Sequence, residues 1–299
     1  MIDFRHVTIE DKGWISNCLK NRAGRTSEYS FGNIYSYGQV IDIDVACVDG
    51  CLVSVAHEDG LNEYCFPVGG DSEAALKKLL ELIREKKAPA VIYGMNSEDA
   101  LLFNGMNDGP EKAKPGRDWF DYCYRSDDLI NLRGKKYQSK RNHISFFERN
   151  NNWSYETLRS GVIPECLEMS EKWLEEYETE DKSELETELK IIKNAFEYYD
   201  EIGYRGGVLR ADGLVIAYTF GEELDSSHFC VHFEKAFSGI RGAYPMINRE
   251  FVKNELSAYE FINREDDVGR ENLRRAKLSY HPAYLAEKFE VFFYTDADS

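Results

Sequence analysis

Polar residues able to do chemistry gather in three stretches of the C-terminal half. The first is Ser227-His228-Phe229-Cys230-Val231-His232-Phe233-Glu234-Lys235. Alternate side chains of a strand share a face, so this run is expected to bring His228, Cys230, His232 and Glu234 to one side of a sheet. Imidazole titrates near neutrality and a partly buried carboxylate can be tuned there, which makes His232 or Glu234 a candidate general base. An exposed sheet face would carry the same pattern. Zinc is less well served, because no third ligand is identifiable.

The second stretch is the bend Phe237-Ser238-Gly239-Ile240-Arg241-Gly242, which leads into a helix at Ala243 and Tyr244. A glycine turn there aims unpaired N–H groups and the positive end of the helix dipole at an anion such as a phosphate, although plain turns share the pattern. The third is residues 261–269 with 273–282. Asn263, Arg264 and Glu265 follow a strand directly, and Lys277 and Tyr280 can converge from the next helix. Arg264 offers bidentate anion recognition, Asn263 and Glu265 offer oriented hydrogen bonds, and a surface loop held by salt bridges is the alternative.

Positioning these groups takes alternating strands and helices. In the first half, a helix over 9–22 and a Gly- and Tyr-rich stretch over 29–38 precede strands at 40–48 and 51–56, joined by the Asp49-Gly50 turn signal. A strand at 63–68 then leads into a helix that Asp71 or Ser72 can cap, with Leu76, Leu79, Leu80 and Ile83 at helical spacing. A strand at 90–93, a short helix at 97–103, a loop over 104–118 and a strand at 119–125 follow. The middle is helical: 135–150, then an acidic pair over 163–202 broken near 179–183. Its apolar stripes, Leu167, Trp173, Leu174, Leu185, Leu189, Ile192 and Phe196, need a sheet to cover them. The last hundred residues give strands at 204–210, 214–222 and 226–233, a helix at 243–256, a strand at 259–263, a helix at 270–277 and a strand at 289–294. The two halves share an element order, as duplication would produce.

The 299 residues suit two domains, and 42% hydrophobic content supplies their cores. No apolar run spans a bilayer and the N-terminus lacks signal-peptide regions, so a cytoplasmic protein is expected. Seven cysteines read as reduced, mostly buried thiols, with Cys47 and Cys51 on hairpin strands and not on a metal. A net charge of −17 excludes generic nucleic-acid binding. Locally the sign reverses: Arg133, Lys135, Lys136, Lys140, Arg141 and Arg149 face a single acid, Glu148, across 133–149.

Residues 120–125 (Phe-Asp-Tyr-Cys-Tyr-Arg), 134–143 (Gly-Lys-Lys-Tyr-Gln-Ser-Lys-Arg-Asn-His), 232–236, 242–248 (Gly-Ala-Tyr-Pro-Met-Ile-Asn) and 263–269, with 273–280, resemble the bacterial proteins grouped with the C-terminal catalytic domain of phosphatidylglycerol lysyltransferases. The resemblance covers nearly the whole chain. It implies an α/β (α+β) fold of two tandem acetyltransferase-like (GNAT) domains, each a mixed, mostly antiparallel sheet flanked by helices, at 1–130 and 131–299. It also implies aminoacyl transfer from an aminoacyl-tRNA-type donor to a lipid head group or a small amine or hydroxyl acceptor. An acyl-CoA-dependent N-acetyltransferase and a non-catalytic small-molecule-binding protein are the alternatives.

On this reading His232, Glu234 and Tyr280 are the catalytic candidates. Gly239, Arg241, Gly242, Ala243 and Tyr244 would receive the co-substrate, aminoacyl-tRNA or acyl-CoA. Asn248, Asn263, Arg264, Glu265, Lys277, Lys136, Lys140 and Arg141 would bind substrate, including a tRNA acceptor end. No metal and no stable membrane insertion are expected.

Overall fold

Asp49-Gly50 and Asp212-Gly213 take positive φ at both positions, 50° and 77° in the first and 50° and 83° in the second. That is the backbone of two-residue hairpins whose twist matches their strands, and one such pair lies in each unit of the molecule. A computed structural model describes residues 2–20, 22, 24, 26–58, 60–176 and 182–294.

The elements run β1 (Arg5–His6), α1 (Lys12–Leu19), α2 (Phe31–Ile41), β2 (Ile43–Val48), β3 (Cys51–Glu58), β4 (Leu61–Cys65), α3 (Ser72–Lys86), β5 (Ala90–Met95), α4 (Ser97–Met106), β6 (Lys114–Pro115) and β7 (Asp121–Arg125). There follow α5 (Ser126–Asn131), α6 (Gln138–Asn150), β8 (Trp153–Thr157), α7 (Ile163–Glu176), α8 (Ser183–Glu197), α9 (Tyr199–Ile202), β9 (Arg205–Ala211), β10 (Leu214–Glu223) and β11 (His228–Ala236). The chain ends with α10 (Ala243–Glu255), β12 (Phe261–Asn263), α11 (Glu271–Leu278), β13 (Tyr284–Ala286) and β14 (Phe289–Phe293). The break expected near 179–183 falls mostly outside the described residues. No described helix is long and apolar enough to cross a membrane.

Two mixed sheets result, ordered β1-β2-β3-β4-β5-β14-β6 and β13-β7-β12-β11-β10-β9-β8. Each holds a parallel pair, β4 with β5 and β11 with β12, and the helix between them, α3 or α10, makes the crossover that parallel pairing requires. The remaining pairs with assigned register are antiparallel. One compact unit holds the residues up to Asp121, 266–271 and those from Leu285; the other holds Tyr122–Glu265 and Asn272–Tyr284. The units are therefore interleaved in sequence, with β14 pairing with β5 and β7 with β12.

In the first unit, α3 starts where Asp71 Oδ1 accepts the Ala74 N–H, and it buries Leu76, Leu79, Leu80 and Ile83 as its spacing predicts. The Gly- and Tyr-rich stretch is helix α2. Ser30 Oγ accepts the Asn33 N–H to cap it, Phe31, Ile34, Tyr35 and Gly38 are buried, and the strand expected from residue 40 begins only at Ile43. The Lys288 ammonium is buried 2.7 Å from Asp121, 2.8 Å from Glu28 and 3.8 Å from Asp266. These carboxylates overcome the burial that would lower its pKa and raise it well above the usual value.

In the second unit the acidic pair packs on the sheet: α7 lies along β10, where the Ser170 and Tyr218 hydroxyls meet at 2.6 Å. Trp173, Ile192 and Phe196 are buried, while Leu167, Leu174, Leu185 and Leu189 are half-buried.

Candidate functional site

The parallel pair of the second unit is short. β11 and β12 run together only from His228 beside Phe261 to Cys230 beside Asn263, while β11 continues to Ala236. Past Cys230, β11 keeps β10 along one edge and leaves the β12 edge open.

The strand also changes register there. Phe220 pairs with Phe233 and Gly221 with Val231, so His232 is an inserted residue, a β-bulge. A Cβ on Gly221 would stand 1.8 Å from the Cys230 carbonyl oxygen, so the strands approach this closely only at glycine. The bulge resets the alternation: Cys230 pairs with Glu222 and Glu234 with Thr219. Residues 222 and 219 of β10 point to opposite faces, which corrects the expectation of one face shared by His228, Cys230, His232 and Glu234. His228 stands apart, stacked on Phe261 and bonded to Asp225 and to the Tyr284 hydroxyl.

The His232 side chain is fully buried, with Nδ1 2.7 Å from Glu265 Oε1 and Nε2 3.1 Å from Glu222 Oε1. Burial would lower its pKa, but Cys230 and the two carboxylates outweigh it and hold the ring well above its ordinary value. Each ring nitrogen thus faces a carboxylate oxygen, an arrangement that favours the protonated ring. Glu265 reaches it from a left-handed backbone, φ 57°, a turn closed by the Glu265 N–H donating to Asn263 Oδ1 at 2.8 Å. Cys230, His232 and Glu265 also bring a thiol, an imidazole and a carboxylate within 4.8 Å of one another, the donor set of a divalent metal. Glu265 and Glu222 lie against the same two ring nitrogens.

Glu234 joins a second group. Its Oε1 accepts from Arg264 Nη2 at 2.9 Å and its Oε2 from Asn248 Nδ2 of α10 at 3.2 Å. The Arg264 guanidinium lies 5.0 Å from the Tyr280 ring centroid and 5.8 Å from that of Tyr124. Its Nη1 is buried and finds no hydrogen-bond partner among the described residues. Lys140 of α6, half-buried, places Nζ 3.8 Å from the Tyr280 centroid. Burial and then Arg264, partly opposed by Glu234, pull its pKa down to about 8. Burial likewise raises the Tyr280 and Tyr124 hydroxyls.

The structure thus brings Glu234, Asn248, Arg264, Lys140 and Tyr280 together, and His232 with Glu265. Lys277 belongs beside them as a support, since its Nζ donates to the Arg264 carbonyl at 2.6 Å. Lys136 instead faces Asp128 at 4.0 Å, and Arg141 donates to the Leu132 and Gly134 carbonyls. At the start of α10, a Cβ on Gly242 would lie 2.4 Å from the His143 carbonyl oxygen, so α6 presses against that terminus. The Ala243 N–H donates to Ile240, Arg241 stacks 4.5 Å over Phe146, Tyr244 is half-buried and Gly239 is exposed. Sequence reasoning missed Glu222 and Tyr124. The mark that could have exposed Glu222 is Gly221, a glycine inside a strand and so a bulge signal.

The first unit treats its parallel pair differently. The Phe66 N–H donates to the Tyr93 carbonyl at 3.0 Å, the Tyr29 hydroxyl to the Phe66 carbonyl at 3.1 Å, and Arg22 to the Gly94 carbonyl at 2.9 Å. The end of that pair is filled by the protein's own side chains.

The family model for the C-terminal region of phosphatidylglycerol lysyltransferase matches residues 20–292. A conserved protein of unknown function from Bacteroides thetaiotaomicron VPI-5482 has the same fold at a TM-score of 0.91 and 33% identity, over 98% of this chain and 100% of that one. A C-terminal DUF2156 domain from Agrobacterium fabrum gives 0.69 at 15% identity, over 97% and 93%. A tandem GNAT protein of clavulanic acid biosynthesis gives 0.51 at 11%, over 98% of each chain. An uncharacterised protein of Mycoplasmoides gallisepticum is 23% identical over 190 residues, 57% of this chain, and the chain spans 55% of that curated relative's length. With the model covering nearly all of it and both sheets built as the resemblance implied, the chain belongs to the phosphatidylglycerol lysyltransferase C-terminal family and has its tandem acetyltransferase-like fold.

Proposed function

We propose that the chain is an acyltransferase of the aminoacyl-transfer type, moving an aminoacyl group from an ester donor, aminoacyl-tRNA, to a hydroxyl or amine acceptor that is a lipid head group or a small molecule. The observation that carries this reading is the open edge of β11, joined to the turn that follows β12 by Glu234–Arg264 and His232–Glu265. Backbone N–H groups along such an edge can take the oxyanion of a tetrahedral intermediate. Glu234 accepts the proton as the acceptor attacks the ester carbonyl. The ester C–O bond then breaks, and that proton goes to the leaving alkoxide. His232, with both nitrogens spent, holds the bulge, and Tyr280 packs the guanidinium in place.

The description of the family supports the aminoacyl donor. The reading places the transfer in the cytoplasm.

The test is to incubate the protein with radiolabelled aminoacyl-tRNA and panels of amine and hydroxyl acceptors. Label should move to an acceptor, and Glu234→Gln should slow it by about 10²-fold or more. Thermal stabilisation by acetyl-CoA, with no label transferred, would replace this reading with the acyl-CoA-dependent one.

A further inference from the structure

Along the sequence, β11 offers two metal donors, Cys230 and His232, with no third ligand in sight, and so no metal is expected. Folding supplies the third. Glu265, from the left-handed turn after β12, brings its carboxylate to His232 Nδ1, and the Cys230 thiol joins them within 4.8 Å. Separate features of the backbone converge here. The parallel ladder ends at Cys230 beside Asn263, the bulge inserts His232, and the Asn263 side chain closes the turn on the Glu265 N–H. The thiol and the ring are fully buried, whereas Glu222 and Glu265 keep 12% and 21% of their side chains exposed and mark the side from which an ion can enter.

We propose that Cys230 Sγ, His232 Nδ1 and a Glu265 carboxylate oxygen bind one zinc-type divalent ion, which fastens the turn after β12 to β11 beyond the last ladder pair. A water completes the fourth position. The donors select the ion: thiolate and imidazole suit zinc, whereas magnesium and calcium take oxygen ligands. Zinc bonds of about 2.0–2.3 Å hold tetrahedral donor atoms about 3.3–3.7 Å apart. Nδ1 and Glu265 Oε1 stand at 2.7 Å, so they need part by only roughly 0.7 Å, a movement open to the partly exposed carboxylate.

The other ring nitrogen is committed as metal-binding histidines require. Nε2 lies 3.1 Å from Glu222 Oε1, and a carboxylate there fixes the tautomer that turns Nδ1 to the ion. Tyr204 meets the ring edge-on, with centroids 6.0 Å apart, and helps to hold its plane. Charge balances too. A protonated ring between Glu222 and Glu265 leaves one net negative charge, and exchanging the ring proton and the thiol proton for a divalent ion leaves the same charge, both protons passing to solvent. Among the described residues a second group, His6 with Asp42 and Asp44, has metal-binding spacing, but it lies at the surface of the first unit and lacks sulfur. The difference in sulfur separates the two by experiment.

Cobalt titration of the chelator-stripped full chain, in a Cys47→Ser background that removes the exposed thiol, tests the site. One equivalent of Co²⁺ should raise a near-ultraviolet thiolate-to-metal band together with the intense visible bands of tetrahedral cobalt. One equivalent of Zn²⁺ should erase them, and excess Mg²⁺ should not. Cys230→Ala, its fold verified by thermal melt, should lose the thiolate band. Glu222→Gln should weaken zinc about 10–100-fold, as loss of an outer carboxylate does. X-ray absorption at the zinc edge of the unsubstituted chain requires no variant to fold, and one sulfur with three nitrogen or oxygen neighbours is the expected shell. No thiolate band at one equivalent, a band that survives Cys230→Ala, or a zinc shell with no sulfur or with more than one would each overturn the site. None of these readouts involves label transfer, so the site and the transferase reading stand or fall separately.

Discussion

Glu234 and Arg264 meet at 2.9 Å across the point where β11 runs past the end of β12. The pair is mostly buried, with 12% and 14% of the side chains exposed. Removing either partner strands a charge in low dielectric, so Glu234→Leu and Arg264→Met should each cost roughly 3 kcal/mol. The double variant should cost clearly less than the sum, and urea unfolding of the four proteins measures the difference. Strict additivity would mean that the two side chains do not interact in solution.

His232 should make stability depend on pH. Its folded pKa lies above the roughly 6.5 of an unfolded chain, so its stabilisation is complete below about pH 6.5 and is lost as pH rises toward the folded value. The gap in melting temperature between the native chain and His232→Asn should accordingly narrow from pH 6 to pH 9. A constant gap would identify the ring as neutral.

Gly221→Ala tests the bulge. The added methyl would meet the Cys230 carbonyl at 1.8 Å, so the two strands must separate or slip. Such overpacking costs about 1–3 kcal/mol or more. The imidazolium N–H resonances of His232 should move with it, and unchanged resonances would show that the bulge is not what sets the ring.

Lys288→Met examines the buried ammonium of the first unit. It leaves Asp121, Glu28 and Asp266 without their cation, and the chain should lose about 3–5 kcal/mol. Differential scanning calorimetry decides this, and a loss below about 1 kcal/mol would mean that one or more of the acids is protonated.

Much of the scaffold could be read from local chemistry. Asp49-Gly50 and Asp212-Gly213 announce hairpins because few other dipeptides tolerate two positive φ angles, and the leucines of α3 repeat at helical spacing behind a capping Asp71. Helix α2 was hidden by its glycines and tyrosines. It forms because a tertiary face accepts them, and a Cβ on Gly38 would lie 2.5 Å from the Val7 side chain.

In the site, residue types pointed to Glu234, Arg264 and Lys140, yet partners could not be assigned. Counting alternate residues assumes an unbroken strand, and the inserted His232 breaks it, carrying the ring to Glu222 and Glu265. Basic residues in one segment also look equivalent until their contacts are known: Arg141 serves backbone carbonyls, while Lys140, one residue earlier, lies against the Tyr280 ring.

Because Phe289–Phe293 supplies the strand between β5 and β6, the first sheet stays incomplete until residue 293 has left the ribosome. The second sheet can assemble most of its strands earlier, so the half synthesised first is finished last. Until then the edge of β5 stands bare, a point where a slowly translated or truncated chain is exposed to aggregation.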